Sequence, residues 1–452
     1  MVSLTEAFYH TTANYTLEMS RVKKSFLVEG VQKFVASALR WAQNEFEINC
    51  LLNSNNYKHD KYCSLKWVLA AGTTSQFTGT GKDDFEKLKT FSYQENDWIF
   101  GFMGYDLKNQ LENLESNNHD GIEMPNMHFF VPRVLIFFEE TKVEISCSPS
   151  SGKFSSPDEI FHLIGQIPTT ASEMAKPVKM KPKVSTEKYI ENVLEIKNHI
   201  QVGNIYEMNY CLEFFARDVL INPISVYENL TNLSPTPFSC FYKLEDKYLM
   251  CASPERFLRK KGPKLISQPI KGTAPRGKTP EEDETFKQKL YLDPKERSEN
   301  VMIVDLVRND LSQTAKKGSV KVEELCGIYS FSQVHQMIST VVSELHPGVH
   351  FVDSIKKCFP MGSMTGAPKV MAMKLIEHYE DTKRGIFSGA VGYISPDKDF
   401  DFNVVIRSLV YNEKRKYLSY MAGSAITIGS EPEKELEECL LKAKTMEKAL
   451  GN

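Results

Sequence analysis

The chain has 452 residues, of which 41% are hydrophobic and 25% charged, with a formal net charge of -3. That length is too great for one small core and suits two domains or one large interlocked pair. The near-neutral charge gives no reason to expect nucleic acid as a partner, no apolar run approaches the roughly 18 residues of a membrane span, and nine scattered cysteines without a CxxC pair argue against a disulfide framework or a zinc site and for a reducing, cytoplasmic home.

The N-terminal stretch carries acids and polar residues throughout and has no signal-peptide core. Trp98-Ile-Phe-Gly-Phe-Met-Gly-Tyr105 is an aromatic strand broken by glycines, which permit close backbone approach. Phe129 to Phe138 is a second strand, and Lys142 to Cys147 alternates and is expected to pair with it as a hairpin. Breakers crowd both ends of 148–185, from Ser148-Pro-Ser-Ser-Gly-Lys-Phe-Ser-Ser-Pro157 to Lys176-Pro-Val-Lys-Met-Lys-Pro-Lys183, with a short helix between Ile160 and Ile167. The expected division is therefore an N-terminal region 1–150, a linker 151–185 and a second region 186–452. A helix capped by Ser185 or Thr186 follows, with Tyr189, Val193, Ile196 and Ile200 at helical spacing and Gly203 as its stop. Beyond it strands, turns and helices mix without a βαβαβ rhythm. The fold class is α+β, with large antiparallel sheets and surrounding helices.

Five clusters in the second region carry possible chemistry. Ser253-Pro-Glu-Arg-Phe257 puts Glu255 at a strand end, either as a surface charge or as a general acid. In Gln268-Pro-Ile-Lys-Gly-Thr-Ala-Pro-Arg276 a strand runs into a turn, and Gly272 lets the chain pass close to a ligand. Lys271 there reads as a solvated turn lysine or as a nucleophilic amine. A free lysine, with a pKa of about 10.4, is neutral in only about one molecule in a few thousand at pH 7, so nucleophilicity demands burial or a neighbouring cation worth about 4–5 kcal/mol.

After Pro294, the run Lys295 to Asp310 reads as a helix that places Glu299 on its apolar face, where a carboxylate is costly without a cation. Asp305 and Arg308, at i,i+3, suffice to pair with each other. Pro360-Met-Gly-Ser-Met-Thr-Gly-Ala-Pro-Lys369 enters a helix with Pro368 in its first turn. Free N–H groups there and Lys369 suit an anion, though an ordinary loop remains open; the P-loop spacing is absent. Finally, a strand from Met421 leads through Ser430-x-x-Glu433, a capping box, into a last helix where Glu435 and Glu438 border the buried face and Glu437 points away. These carboxylates are either a solvated acidic face or, with Glu299, a Mg site completed by waters and substrate oxygens. Two single residues remain: His335, in the strand-like Phe331 to Val342, and Arg407, a cation in the apolar strand Phe402 to Leu409 that wants an anionic partner.

Taken together and in this order, the clusters resemble the chorismate-utilising enzymes, which include anthranilate synthase component I, aminodeoxychorismate synthase component I, and isochorismate and salicylate synthases. The dense match runs from about Thr186 to Ala449, which the resemblance makes the chorismate-binding catalytic domain; Phe100 to Asp106 and Met124-Pro-Asn-Met127 carry a weaker match to the family's N-terminal region. The resemblance implies that Glu299, Glu435 and Glu438 hold Mg2+ and through it the ring carboxylate of chorismate. It implies substrate contacts from Thr273, Thr365, Gly366, Ala367, Tyr393, Arg407 and Gly423. Glu255 resembles the general acid for the 4-hydroxyl, and His335 the histidine packed beside the reacting ring.

Lysine in Pro-Ile-Lys-Gly-Thr, where the anthranilate branch usually carries alanine, resembles the aminodeoxychorismate branch; the alternatives are anthranilate synthase component I, an isochorismate or salicylate synthase, and a non-catalytic chorismate-binding paralogue. That branch implies attack by Lys271 at C2 and displacement by ammonia at C4, on the way to p-aminobenzoate and folate. No cysteine nucleophile in a glycine-rich elbow is present, so the resemblance implies that a separate glutamine amidotransferase subunit delivers the ammonia. Tyr206-Glu-Met-Asn-Tyr-Cys-Leu-Glu-Phe214 departs from the usual Tyr-Gln-Val-Asn-Leu-Ser-Gln-Arg-Phe. Ser424 and Ala425 stand where glycines are common, and Gly429 where an aspartate is common.

Overall fold

The computed structural model describes residues 21–63, 65–149, 153–168 and 177–451. Part of the predicted boundary segment, including Lys176, lies outside those residues. Alternation along single strands defines the layers. In the strand Ile48–Asn53, Ile48 and Cys50 face one apolar cluster and Leu51 another; Val68 and Ala70 alternate in the same way with Leu69 and Ala71 in Trp67–Thr78. Period-two side chains thus give each strand two buried faces. The inner cluster, with Phe100, Phe102, Phe130, Tyr242, Leu249 and Val391, is built from strand residues and fills the space between sheets. The two outer clusters lie under helices: Val31–Glu45, Thr186–Gln201, Pro223–Leu233 and Pro432–Ala449 on one side, Asp84–Gln94, Pro294–Ser312 and Phe351–Cys358 on the other. The result is an α+β sandwich in which two helical layers enclose antiparallel strands.

The strand Met127–Phe138 passes from one sheet to the other. Phe129 and Val131 feed one outer cluster, while Val134, Ile136 and Phe138 feed the opposite one. The changeover falls at Pro132, beside the register shift between Thr73 and Ser75 on the neighbouring strand, where proline's missing N–H is tolerated. Met127–Phe138 also pairs with Lys142–Cys147 as the predicted hairpin.

Strands from either side of 151–185 pair directly. Ile48–Asn53 joins Phe238–Leu244, and Ile99–Met103 joins Ala390–Ile394. The strand pairing thus joins the regions before and after the segment 151–185. That segment's helix, Pro157–Gly165, is buried on the side of Ile160 and Ile164. Val178 and Met180, in the lysine–proline stretch, are buried too, and Lys181–Pro182 pairs with Glu207–Ala216.

Two local expectations change. Ser430 does not cap the last helix: Pro432–Ala449 starts after Glu431, and the Ser430 hydroxyl instead accepts from the Thr427 N–H at 3.0 Å and closes the preceding turn. Arg407 is not within a strand. Phe400–Asn403 has ended and Ser408–Asn412 has yet to begin, and Arg407 sits between them in the left-handed region at φ 50.

Candidate active site

Four elements distant in sequence bring charged groups together. Lys271 lies in the strand Ile270–Pro275 and Glu207 opens the strand Glu207–Ala216; their side chains meet at 2.9 Å, Lys271 Nζ to Glu207 Oε1. Glu255 lies between Lys247–Ser253 and Arg256–Lys261, and Glu299 projects from the helix Pro294–Ser312. Lys271, Glu207, Glu255 and Glu299 are all buried. Nucleophilicity called for burial or a cation near Lys271. Burial is present and acts to lower its pKa, but Glu207, Glu299 and Glu255 outweigh it and hold the lysine above its ordinary value.

The backbone here is bulged. Ile270 opposes Ile338 and Thr273 opposes Gln336, so Lys271 and Gly272 share one position of the partner strand. Gly272 has φ +98, and a Cβ there would come within 3.0 Å of Glu296 and 3.1 Å of Met337. Asn300 donates its carboxamide N–H to the carbonyls of Lys271 at 3.3 Å and Met337 at 3.4 Å, fixing the bulge against the helix.

Glu255 is the second titrating group. Burial pushes its carboxyl up to about 7, against the lowering influence of the Ser363 hydroxyl, Lys271 and Arg407. Ser363 donates to Oε1 at 2.6 Å. A buried carboxyl that keeps its proton near neutrality can serve as a general acid. Arg407 is pushed down to about 10 by burial, with Glu255 the carboxylate acting against that shift.

The loop after Pro360 turns through Gly366 and Ala367, which pair with Met208 and Glu207. Gly366 has φ +150, and a Cβ there would lie 2.2 Å from the Glu207 carbonyl oxygen, so the close pairing requires glycine. The Thr365 hydroxyl donates within the loop, to the carbonyls of Met361 and Gly362. Lys369 is not free for an anion: its ammonium lies 2.6 Å from the buried carboxylate of Asp310. Gly423 pairs with Cys211 and accepts from Lys442 at 2.8 Å.

Glu435 on the last helix is buried, whereas the Glu438 side chain is 48% exposed and pairs with Lys442 at 2.7 Å. Lys295 stands between the helices, 3.8 Å from Glu299 and 3.7 Å from Glu435. Among the described residues no three acidic, histidine or cysteine side chains converge into a metal cage; the lysine holds the gap. Glu299 Oε1 is buried without a hydrogen-bond partner, and burial pushes this carboxyl up to about 7. Under-neutralised carboxylates facing one another across two helices are a donor set that fits a hard divalent cation.

Not every singled-out residue joins this cluster. His335 is fully buried on the strand face shared with Ser330 and Ala274, held by Ser330 at 2.9 Å and by Asp283 at 2.9 Å. Period-two alternation turns Gln336, not His335, to the face of Thr273, which is exposed. Tyr393 is seated in the inner apolar cluster, its ring 5.4 Å from Trp98 and 6.1 Å from Phe100. Sequence reasoning missed Glu207, Ser363 and Lys295 as participants. For Glu207 a signal existed, a carboxylate where the family pattern carries glutamine; the other two stood inside quoted motifs without any mark of their own.

The profile of the chorismate binding enzymes matches residues 48–448, which takes in every element of this cluster. The chain belongs to that family. Among its chorismate-binding relatives, aminodeoxychorismate synthase component 1 of Bacillus subtilis is 32% identical over 77% of this chain and 76% of its own length. Anthranilate synthase component 1 of Thermus thermophilus is likewise 32% identical, over 78% of this chain and 77% of its own. The crystal structure of anthranilate synthase component I from Streptococcus pneumoniae superposes with a TM-score of 0.74 at 26% identity, covering 87% of this chain and 95% of that one. Relatives of different activities thus stand at equal distance, and the branch must be argued from the site.

Proposed function

We propose that this chorismate-binding enzyme aminates chorismate at C4, giving 4-amino-4-deoxychorismate through a covalent bond to Lys271. The observation that carries the reading is Lys271 itself. A buried lysine among Glu207, Glu255 and Glu299, once it gives up a proton, is a group that can bond to a substrate carbon. In this reading the Lys271 amine adds to C2, the double bond shifts, and the C4–O bond breaks as Glu255 protonates the departing hydroxyl. Ammonia then adds at C4 and expels the lysine. Glu255 suits the task because burial keeps its proton near neutral pH. Arg407 and the backbone of Thr365, Gly366 and Ala367 would receive the substrate's carboxylates.

Glu299, Glu435 and Glu438 would hold Mg2+ in place of the Lys295 ammonium. When bound, that ion would neutralise substrate carboxylate charge and steady the charge that develops in the ring. Ammonia would come from a separate glutamine amidotransferase subunit, in the service of p-aminobenzoate and folate synthesis.

Purified protein incubated with chorismate, a magnesium salt and an ammonium salt, with products identified by mass spectrometry, tests this reading. A nitrogen-containing product that keeps the enolpyruvyl group is expected. Anthranilate, or isochorismate without nitrogen, would overturn it.

A further inference from the structure

An ammonium cannot add to carbon. A lysine ion-paired with a carboxylate, as Lys271 is with Glu207, must lose a proton before its nitrogen can attack and regain one after it leaves. Several charged groups face it: Glu207 from the strand Glu207–Ala216, Glu255 from its strand junction, Glu296 and Glu299 from one helix, and Glu438 from another. Lys295 and Arg407 stand beyond these. Of the other acids, Glu255, Glu299 and Glu438 have partners of their own, and Glu296 makes no salt bridge with Lys271 among the described residues. Glu255 accepts from Ser363 and needs its own proton for the departing hydroxyl. Glu299 shares Lys295 with Glu435, and Glu438 is paired with Lys442. Glu207 alone makes salt-bridge contact with Lys271, at 2.9 Å, among the described residues.

Glu207 is 1% exposed, and no donor besides Lys271 reaches either carboxylate oxygen among the described residues. A buried carboxylate whose one polar contact is the lysine ammonium is placed to exchange a proton with that nitrogen. The residue is also held firmly where it is. Its backbone pairs with Ala367, the Tyr206 N–H donates to the Ala367 carbonyl at 2.7 Å, and the absence of a side chain at Gly366 makes this approach possible. One short ladder thus sets both the loop expected to receive substrate and the carboxylate that touches the lysine.

We propose that Glu207 is a catalytic residue of the amination, taking a proton from Lys271 Nζ as the amine adds to C2 and returning it when the amine leaves. The inference rests on the amination reading above. The protons balance. Lys271 gives one to Glu207 and becomes an amine; the N–C2 bond forms while Glu255 gives its proton to the C4 hydroxyl, which departs as water. Ammonia then bonds to C4 and the N–C2 bond breaks, releasing neutral Lys271. Glu207 returns its proton to Lys271, and the new C4 ammonium gives one to Glu255. The sum is chorismate plus ammonia to aminated product plus water.

The test uses the full chain with chorismate, a magnesium salt and an ammonium salt. Steady-state kinetics are measured together with single-turnover formation of the protein-bound adduct by intact mass. Glu207→Gln keeps the volume of the side chain and removes the base. Adduct formation and kcat are both expected to fall by about 100-fold or more, with KM within about threefold. Calorimetric binding of chorismate to Lys271→Ala is expected to be unchanged by adding Glu207→Gln, because Glu207 acts through the lysine. Wild-type rates in Glu207→Gln, or weakened binding in the double variant, would overturn the proposal while leaving amination intact. Should Glu207→Gln not fold, Glu207→Asp, which keeps the base at shorter reach, is expected to form adduct at least about tenfold more slowly, and wild-type rates there would overturn the proposal equally. If the wild-type protein yields no amine-bearing product, the amination reading falls and the role of Glu207 falls with it.

Discussion

Ser363 donates its hydroxyl to Glu255 at 2.6 Å, and this is the hydrogen bond through which the loop after Pro360 reaches the proposed general acid. Burial drives the Glu255 carboxyl up to about 7, and the Ser363 donor opposes that rise because it favours the ionised form. In Ser363→Ala the opposition is gone. The proton is then held to higher pH, so the basic limb of kcat/KM should move upward. A hydrogen bond to a charged group is worth about 1.5–3 kcal/mol, which corresponds to a displacement of about one pH unit or more. A pH–rate profile of the variant from pH 5 to about 9 checks the direction. A limb that stays put, or moves to lower pH, would remove Glu255 from the role of acid.

What the sequence makes legible is mostly local. The helix Pro294–Ser312 follows from a single run after Pro294, and Arg308 meets Asp305 at i,i+3 at 2.7 Å. The hairpin of Met127–Phe138 with Lys142–Cys147 follows from alternation. The α+β class and the family are legible as well, because five clusters in one order constrain more than any of them does alone. Contacts that cross the sequence are not. Nothing within Pro360 to Lys369 says that Ser363 rather than Lys369 faces the site; Lys369 is taken by Asp310, a residue 59 positions away. Ser430 satisfies the local rule for a cap, yet the turn from Thr427 claims its hydroxyl first. His335 is misplaced by one residue of alternation, since a strand turns its neighbours to opposite faces and only the register with Ala274 and Ser330 fixes which is which.

Arg256 anchors the strand that begins next to Glu255. Its side chain is fully buried and lies 2.8 Å from Asp60 and 2.9 Å from Asp401. Asp60 belongs to the segment that follows Ile48–Asn53, so the guanidinium ties the N-terminal region to the catalytic strands. Replacing arginine by methionine keeps much of the volume but takes the cation from the buried Asp60 and leaves Asp401 with Arg259 alone, at 3.4 Å. Removing one member of such a buried network costs about 3–5 kcal/mol. Arg256→Met is therefore expected to unfold at markedly lower denaturant concentration than wild type, with most of its activity lost through instability. A denaturation midpoint within error of wild type would show the network to be dispensable.

Lys295 is a competitor at the proposed metal site. It stands 3.8 Å from Glu299 and 3.7 Å from Glu435, so its ammonium partly neutralises the carboxylates that would hold Mg2+. Those carboxylates in turn hold Lys295 above its ordinary pKa, against a lowering by burial, so it stays charged at neutral pH. A divalent ion must displace this charge or push it aside, and that cost is subtracted from its affinity. Lys295→Met removes the ammonium and keeps the apolar stem, leaving Glu299 and Glu435 without their cation. Two effects of opposite sign should follow. Without metal the variant should unfold more easily, since a buried carboxylate has lost its partner. With magnesium it should bind the ion several-fold more tightly than wild type, and the stability deficit should shrink as the salt is raised, because ligand binding stabilises the folded chain by mass action. Calorimetric magnesium titration alongside thermal melts at increasing magnesium reads both effects. Weaker magnesium binding in Lys295→Met would mean that the lysine supports the site instead of competing for it. Magnesium binding that persists unchanged in Glu299→Gln would place the metal elsewhere.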